Sequence, residues 1–195
     1  MGREVEWKYR ATPEILAAVR QQFPEWKTIT METTYLDTPD GALQRRKWML
    51  RRRLENGVAV YTLKTPLPDG SRGEWETRCD PSETIEELCK LGAPAELKVL
   101  TQSGLVETCA ARFTRLAALV ALPQCSVELA LDEGSFLAGA REQPFCELEV
   151  EWKSGGEGDA AAFAQSLAGR FHLETEPKSK AQRAMELRGE TKDTM

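Results

Sequence analysis

The residues with most chemical potential in this 195-residue chain fall on alternating positions. Glu4, Glu6, Lys8 and Arg10 recur two apart at the N-terminus, and Glu147, Glu149, Glu151 and Lys153 do the same near residue 150. Arg72, Glu74, Glu76 and Arg78 form a third such run, Glu128 and Asp132 share a parity, and Arg51 and Arg53 flank Arg52, with Lys64 further on. Residues two apart on a strand share a face, so each run puts its charges on one side. A water-facing sheet gains by mixing signs, because like charges at neighbouring positions repel. Here Glu4/Glu6 and Glu147/Glu149/Glu151 concentrate carboxylates, while Arg51-Arg52-Arg53 concentrates guanidinium groups. Carboxylate oxygens suit hard divalent cations, and guanidinium forks suit phosphate oxygens. The opposite faces carry Trp7, Trp75 and Trp152, which need an apolar cover that amphipathic helices can supply. Any one of these strands also fits a half-solvated sheet with its polar face in water. A sheet whose apolar face lies under helices can instead turn its charged face inward around a polar cavity, and carboxylates clustered beside Arg and Lys are what a metal–polyphosphate site requires.

The elements that must hold these residues can be read along the chain. Strands are predicted over about 3–10, 27–37, 47–55, 57–65, 72–79, 106–121, 124–133 and 144–153. Asn56-Gly57 supplies a tight hairpin turn. Thr12-Pro13 opens a helix that ends at Pro24, and Ser82 is placed to cap a short helix ending near Leu91. A further short helix is predicted over 95–103, an Ala-rich helix over 159–171, and a last helix from Pro177 to about Leu187. Residues 1–188 form one α+β domain in this reading, with 189–195 as a frayed tail.

Composition narrows the function. With 26 Lys+Arg against 31 Asp+Glu the net charge is −5, unlike the basic excess of a protein that coats nucleic-acid duplexes. No apolar run approaches the roughly 18 residues of a membrane span, and the N-terminus lacks the apolar stretch of a signal peptide. The five cysteines are odd in number and widely spaced, as in a reduced cytoplasmic protein. The single histidine, His172, closes a helical stretch and has no nucleophile signature nearby, so it reads as structural.

The ordered series Glu4-Val-Glu6-Trp-Lys8, Tyr35-Leu-Asp37-Thr, Leu50-Arg51-Arg-Arg53, Thr62-Leu-Lys64, Arg72-Gly-Glu74-Trp-Glu76, Arg115, Leu131-Asp132-Glu133-Gly134, Glu147-Leu-Glu149-Val-Glu151 and Ser179-Lys180-Ala-Gln-Arg183 resembles the CYTH domain, or triphosphate tunnel metalloenzyme, superfamily. The likeness is strongest to its bacterial inorganic triphosphatase branch. It implies a closed antiparallel β-barrel of eight strands with helices outside and charged residues pointing into a tunnel. It also implies hydrolysis of inorganic triphosphate with Mg2+ or Mn2+ at two sites. By position, Glu4, Glu6, Asp132, Glu147 and Glu149 would bind metal, and Lys8, Arg51, Arg53, Lys64, Arg115 and Lys180 would bind the triphosphate. Glu4, Glu6 and Lys8 would be catalytic, with Lys8 in proton transfer. Glu151 has the right parity for a ligand. Arg72, Glu74, Glu76, Arg78, Glu128 and Arg183 are either tunnel residues or cross-strand ion pairs. The expected partner is a small anionic substrate, with no duplex and no membrane, and the chain would be a monomer or homodimer.

Thiamine triphosphate, a nucleoside triphosphate or class IV adenylyl cyclase chemistry would use the same clamp, and a polyphosphate- or nucleotide-binding module without catalysis is an alternative of another class. Many bacterial relatives carry an attached helical phosphate-binding domain that this sequence lacks, which leaves action on long polyphosphate open.

Overall fold

A computed structural model describes residues 5–23, 25–67 and 72–189. In chain order its elements are β1 (Glu6–Arg10), α1 (Pro13–Arg20), β2 (Lys27–Asp37), α2 (Ala42–Arg45), β3 (Met49–Glu55), β4 (Val58–Pro66) and β5 (Arg72–Thr77). There follow α3 (Thr84–Lys90), α4 (Glu96–Leu100), β6 (Val106–Ala121), β7 (Cys125–Ala138), β8 (Arg141–Gly155), α5 (Glu157–Phe171), β9 (Glu174–Thr175) and α6 (Lys180–Gly189). The fold is α+β, with a large antiparallel sheet in the order β5-β4-β3-β2-β6-β7-β8-β1-β9.

Two expectations about that sheet need correction. Among the described residues it has nine strands rather than eight, and it is not closed, since β5 and β9 each have a single neighbour there. The ninth strand is only Glu174–Thr175, opposite Tyr9 and Arg10, and two residues are too few to show an alternating pattern. Pro177, two positions later, has no N–H with which to extend a ladder.

Tertiary contacts divide the chain into two compact units. The first comprises residues 1–30, 113–135 and 143–179. Its core joins Leu16 and Val19 of α1 and Ala160, Ala164 and Leu167 of α5 to Tyr9, Val127, Leu129, Leu131, Leu148 and Val150 of the strands. Those strand residues all have the parity opposite to the charged runs, so burying this face turns the carboxylates the other way. Thr12 caps α1 as predicted, its Oγ1 accepting from the Ile15 N–H at 3.3 Å.

The second unit comprises residues 31–112, 136–142 and 180–195. Its core packs Leu43 of α2, Leu88 of α3 and Leu97 of α4 against Leu50 and Leu63, with Leu36, Trp48 and Trp75 at the margin. Asn56 and Gly57, with φ of 50° and 85°, form the predicted hairpin turn between β3 and β4. Ser82 does not cap the following helix. Ser82 lies instead in a 3-10 turn, Pro81–Glu83, that leads into α3, and Asp80 caps that turn, accepting from the Ser82 N–H at 2.9 Å and the Ser82 hydroxyl at 2.6 Å. Residues 42–45, for which the sequence predicts no element, form α2. The buried Asp37 carboxylate accepts from the N–H groups of Thr38, Leu43 and Gln44 at 2.7, 2.9 and 3.1 Å and so secures its start. Among the described residues no helix is long and apolar enough to cross a membrane.

Candidate metal centre and phosphate-binding face

In the first unit, β1 and β8 run antiparallel with Glu6 opposite Glu151, Lys8 opposite Glu149 and Arg10 opposite Glu147. Trp7 opposes Val150 and Tyr9 opposes Leu148 on the apolar side. This register is fixed by the core, because a slip of one residue would drive every charge into it. Asp132 comes from the charged parity of β7. One carboxylate oxygen from each of Asp132, Glu147 and Glu149 lies within 4.8 Å of the others. Asp132 and Glu147 are fully buried and Glu149 is 8% exposed.

Arg115, from β6, reaches into this group. Its Nε donates to Asp132 Oδ1 at 2.8 Å, and its Nη2 donates to Asp132 Oδ2 at 2.7 Å and to Glu149 Oε2 at 2.5 Å. Burial works to lower the Arg115 pKa, but the hydrogen bonds and negative charges of Asp132 and Glu149 outweigh it and raise it above the usual value. Arg115 is therefore a fixed cation that organises two of the three carboxylates.

The other expected residues of this unit have partners of their own. The Lys8 ammonium lies 3.7 Å from Glu6 Oε1 and donates to the Lys178 carbonyl at 3.2 Å. Glu6 is more exposed and does not join the close carboxylate group. Glu151 and Glu128 share Lys153, at 2.8 and 3.6 Å, an arrangement that keeps both carboxylates in ion pairs. Burial lowers the Lys153 pKa, but these two partners raise it overall. Glu4 lies outside the described residues.

In the second unit the sheet lines up a row of residues across four strands. Tyr35 opposes Arg51, Arg51 opposes Thr62, and Thr62 opposes Glu76. The neighbouring rows place Thr33, Arg53 and Val60 together, and Met49, Lys64 and Glu74 together. Lys64 pairs with Glu74 at 3.0 Å, Arg53 with Glu55 at 3.4 Å, and the Thr62 hydroxyl donates to Glu76 at 3.3 Å. The Nε atoms of Arg51 and Arg53 are buried with no hydrogen-bond partner among the described residues. Burial, then the charge of Arg53, pulls the Arg51 pKa down. Burial pushes the Tyr35 hydroxyl up to about 12, against the opposing pull of Arg51, Arg53 and Lys180. Lys180, the first residue of α6, thus contributes its charge to the same neighbourhood as Tyr35 and the two arginines. Two part-buried arginines of like charge, each with a buried Nε donor unused among the described residues, make a face suited to anionic oxygens.

Arg183 sits over the Phe136 ring, 4.7 Å from its centroid, in a cation–π contact. Arg78 is exposed, and the Arg72 side chain lies outside the described residues. Sequence reasoning left Glu176, Asp37 and the Tyr35 hydroxyl without roles. Tyr35 and Asp37 stood inside a recognised motif, but Glu176 lies in a loop where no periodicity marks it.

Comparison with known proteins places the chain in a family. The CYTH domain family model matches residues 2–185, and the chain belongs to the CYTH family. An inorganic triphosphatase of Haemophilus influenzae is 31% identical over 192 residues, covering 94% of this chain and 54% of that protein. The chain thus spans about half the length of that curated relative. Among solved structures, a Hippeastrum protein named for an adenylyl cyclase and described as having a dominant triphosphatase activity is similar at a TM-score of 0.67. It is 19% identical, with 94% of this chain and 96% of that one covered. A Bacillus halodurans protein provisionally assigned as an adenylate cyclase has a TM-score of 0.61 and 24% identity, covering 92% of this chain and 96% of that one. At such identities these two structures support the fold alone.

Proposed function

We propose that the chain hydrolyses inorganic triphosphate to pyrophosphate and phosphate, with Mg2+ or Mn2+ as cofactor. The observation that carries this reading is the buried triad of Asp132, Glu147 and Glu149. Three carboxylates gathered away from water are costly unless cations offset them, and an all-oxygen donor set fits a hard divalent ion. The residues present therefore fit the metal that the family resemblance implies, with Glu4 and Glu6 as the further ligands expected from sequence. The 31% identity to an inorganic triphosphatase supports the same chemistry.

The metal, when bound, would neutralise phosphate charge and ease attack by water. The chain's own residues supply the rest. Arg115 holds Asp132 and Glu149 in place, so that these two carboxylates are oriented before the ligand arrives. Arg51, Arg53, Lys64 and Lys180 offer donors to phosphate oxygens, whose charge redistributes as the bond to phosphorus breaks. Lys8 orients water or moves a proton. A water oxygen bonds to the terminal phosphorus and the bridging P–O bond breaks. Its electron pair stays on the pyrophosphate oxygen, and the water proton leaves to solvent. No covalent intermediate is required. Residues 1–188 act together as one functional domain in this reading. The five free thiols suit the cytoplasm.

Phosphate release from tripolyphosphate, ATP and thiamine triphosphate, with and without Mg2+ or Mn2+, tests the proposal. The highest kcat/KM is expected for tripolyphosphate, and only with metal. A preference for ATP or thiamine triphosphate would move the substrate to an organic triphosphate, and no turnover of any would overturn the function.

A further inference from the structure

Glu176 is a buried carboxylate outside the triad, only 3% exposed, in the loop between β9 and α6. A buried charge is costly unless paired and hydrogen-bonded, so its partners show what it is for. Arg10 Nε donates to Glu176 Oε2 at 2.8 Å. Glu176 Oε1 accepts from the Lys178 N–H at 3.0 Å. The Glu176 N–H itself donates to the Lys8 carbonyl at 2.8 Å, adding one rung beyond β9. Between these contacts stands Pro177, whose ring fixes φ and stiffens the turn. The outcome is a braced loop that presents the Lys178 carbonyl to the Lys8 ammonium at 3.2 Å. Lys8 is thereby gripped at both ends, by its main-chain carbonyl and by its Nζ, while its neighbour across the ladder is Glu149.

From this geometry we infer that Glu176 is a positioning residue for Lys8: its carboxylate braces the 176–178 turn so that the Lys178 carbonyl holds the Lys8 ammonium in its working direction. Arg10 is the external strut of the same brace, tying the loop to β1 one side chain beyond Lys8. The role in turnover rests on the proposed triphosphatase function; the contact between loop and lysine does not.

The test uses two readouts on the full chain. The first needs no activity: competitive acetylation of lysines by acetic anhydride, read by mass spectrometry with the exposed Lys90 as internal reference. Glu176→Ala is expected to raise Lys8 labelling relative to Lys90 by about threefold, as the ammonium loses a fixed acceptor. Glu176→Gln, which keeps an acceptor for the Lys178 N–H, should restore most of the protection. Should the alanine protein fail to fold, Glu176→Asp, too short to reach Arg10 and the Lys178 N–H together, carries the same comparison. Unchanged Lys8 labelling in a folded variant overturns the inference. The second readout is tripolyphosphate hydrolysis with Mg2+. Glu176→Ala should lower kcat about tenfold with KM within about twofold, since small misplacements of a reacting group act on the chemical step. In a Lys8→Met background the same substitution should cost nothing further. An equal loss in both backgrounds would make Glu176 merely structural and overturn the inference. A wild-type chain without metal-dependent turnover would sink the proposed function, leaving the labelling result to judge Glu176.

Discussion

Arg115 and Asp132 form a two-point pair, with Nε on Oδ1 at 2.8 Å and Nη2 on Oδ2 at 2.7 Å, and the same Nη2 also reaches Glu149. A planar fork fixed to one carboxylate and shared with a second is more directional than a point charge. Arg115, expected from sequence as a phosphate ligand, has its Nε and Nη2 donors on Asp132 and Glu149. Removing it would leave buried carboxylates without this partner. Arg115→Met is expected to lower unfolding stability by roughly 3 kcal/mol, read by urea denaturation. Arg115→Lys should recover only part of that.

The triad itself can be neutralised one member at a time. Glu147→Gln and Glu149→Gln each keep shape while removing one negative donor. Metal-dependent phosphate release should fall by roughly a thousandfold, equivalent to several kcal/mol of lost charge stabilisation. Far-UV circular dichroism should remain that of the parent.

On the basic face, the buried and unpartnered Nε atoms of Arg51 and Arg53 are the donors best placed to gain from an anion. Arg53→Ala is expected to raise KM for tripolyphosphate about tenfold, the value of one charge-assisted contact, with a smaller change in kcat. Arg53→Lys should not restore binding, because an ammonium cannot supply the fork.

Burial pushes the Tyr35 hydroxyl up to about 12, against an ordinary value of 10.0. A raised folded-state pKa means that unfolding releases its proton first as pH climbs. The associated stability is intact below pH 10 and is lost as pH rises toward 12. Over that window the loss from Tyr35 should be about 2–3 kcal/mol. Tyr9, also raised by burial, adds to it in the same direction. Denaturant midpoints measured from pH 9 to 12 should fall less steeply for Tyr35→Phe.

The charged parity of β1, β7 and β8 was legible in the letters, because a strand repeats every two residues and the core fixes its register. Glu147 and Glu149 beside Asp132 follow from that alternation together with the family resemblance. The grip of Arg115 on Asp132 and Glu149 was not legible, because it depends on which strands are neighbours and on how far one side chain reaches. Neither was β9, two residues long, nor Glu176, whose importance comes from contacts to Arg10 more than 160 positions away. The short α2 was hidden for a similar reason: its start is secured by Asp37, several residues upstream, instead of by an adjacent cap.

The most direct measurement is 31P NMR of tripolyphosphate incubated with the purified chain, with Mg2+ or Mn2+ and then with EDTA in excess. Equal amounts of pyrophosphate and phosphate are expected with metal, neither with EDTA, and neither with Glu149→Gln. No metal-dependent products, or products formed equally well by Glu149→Gln, would contradict a triphosphatase built on the buried carboxylates.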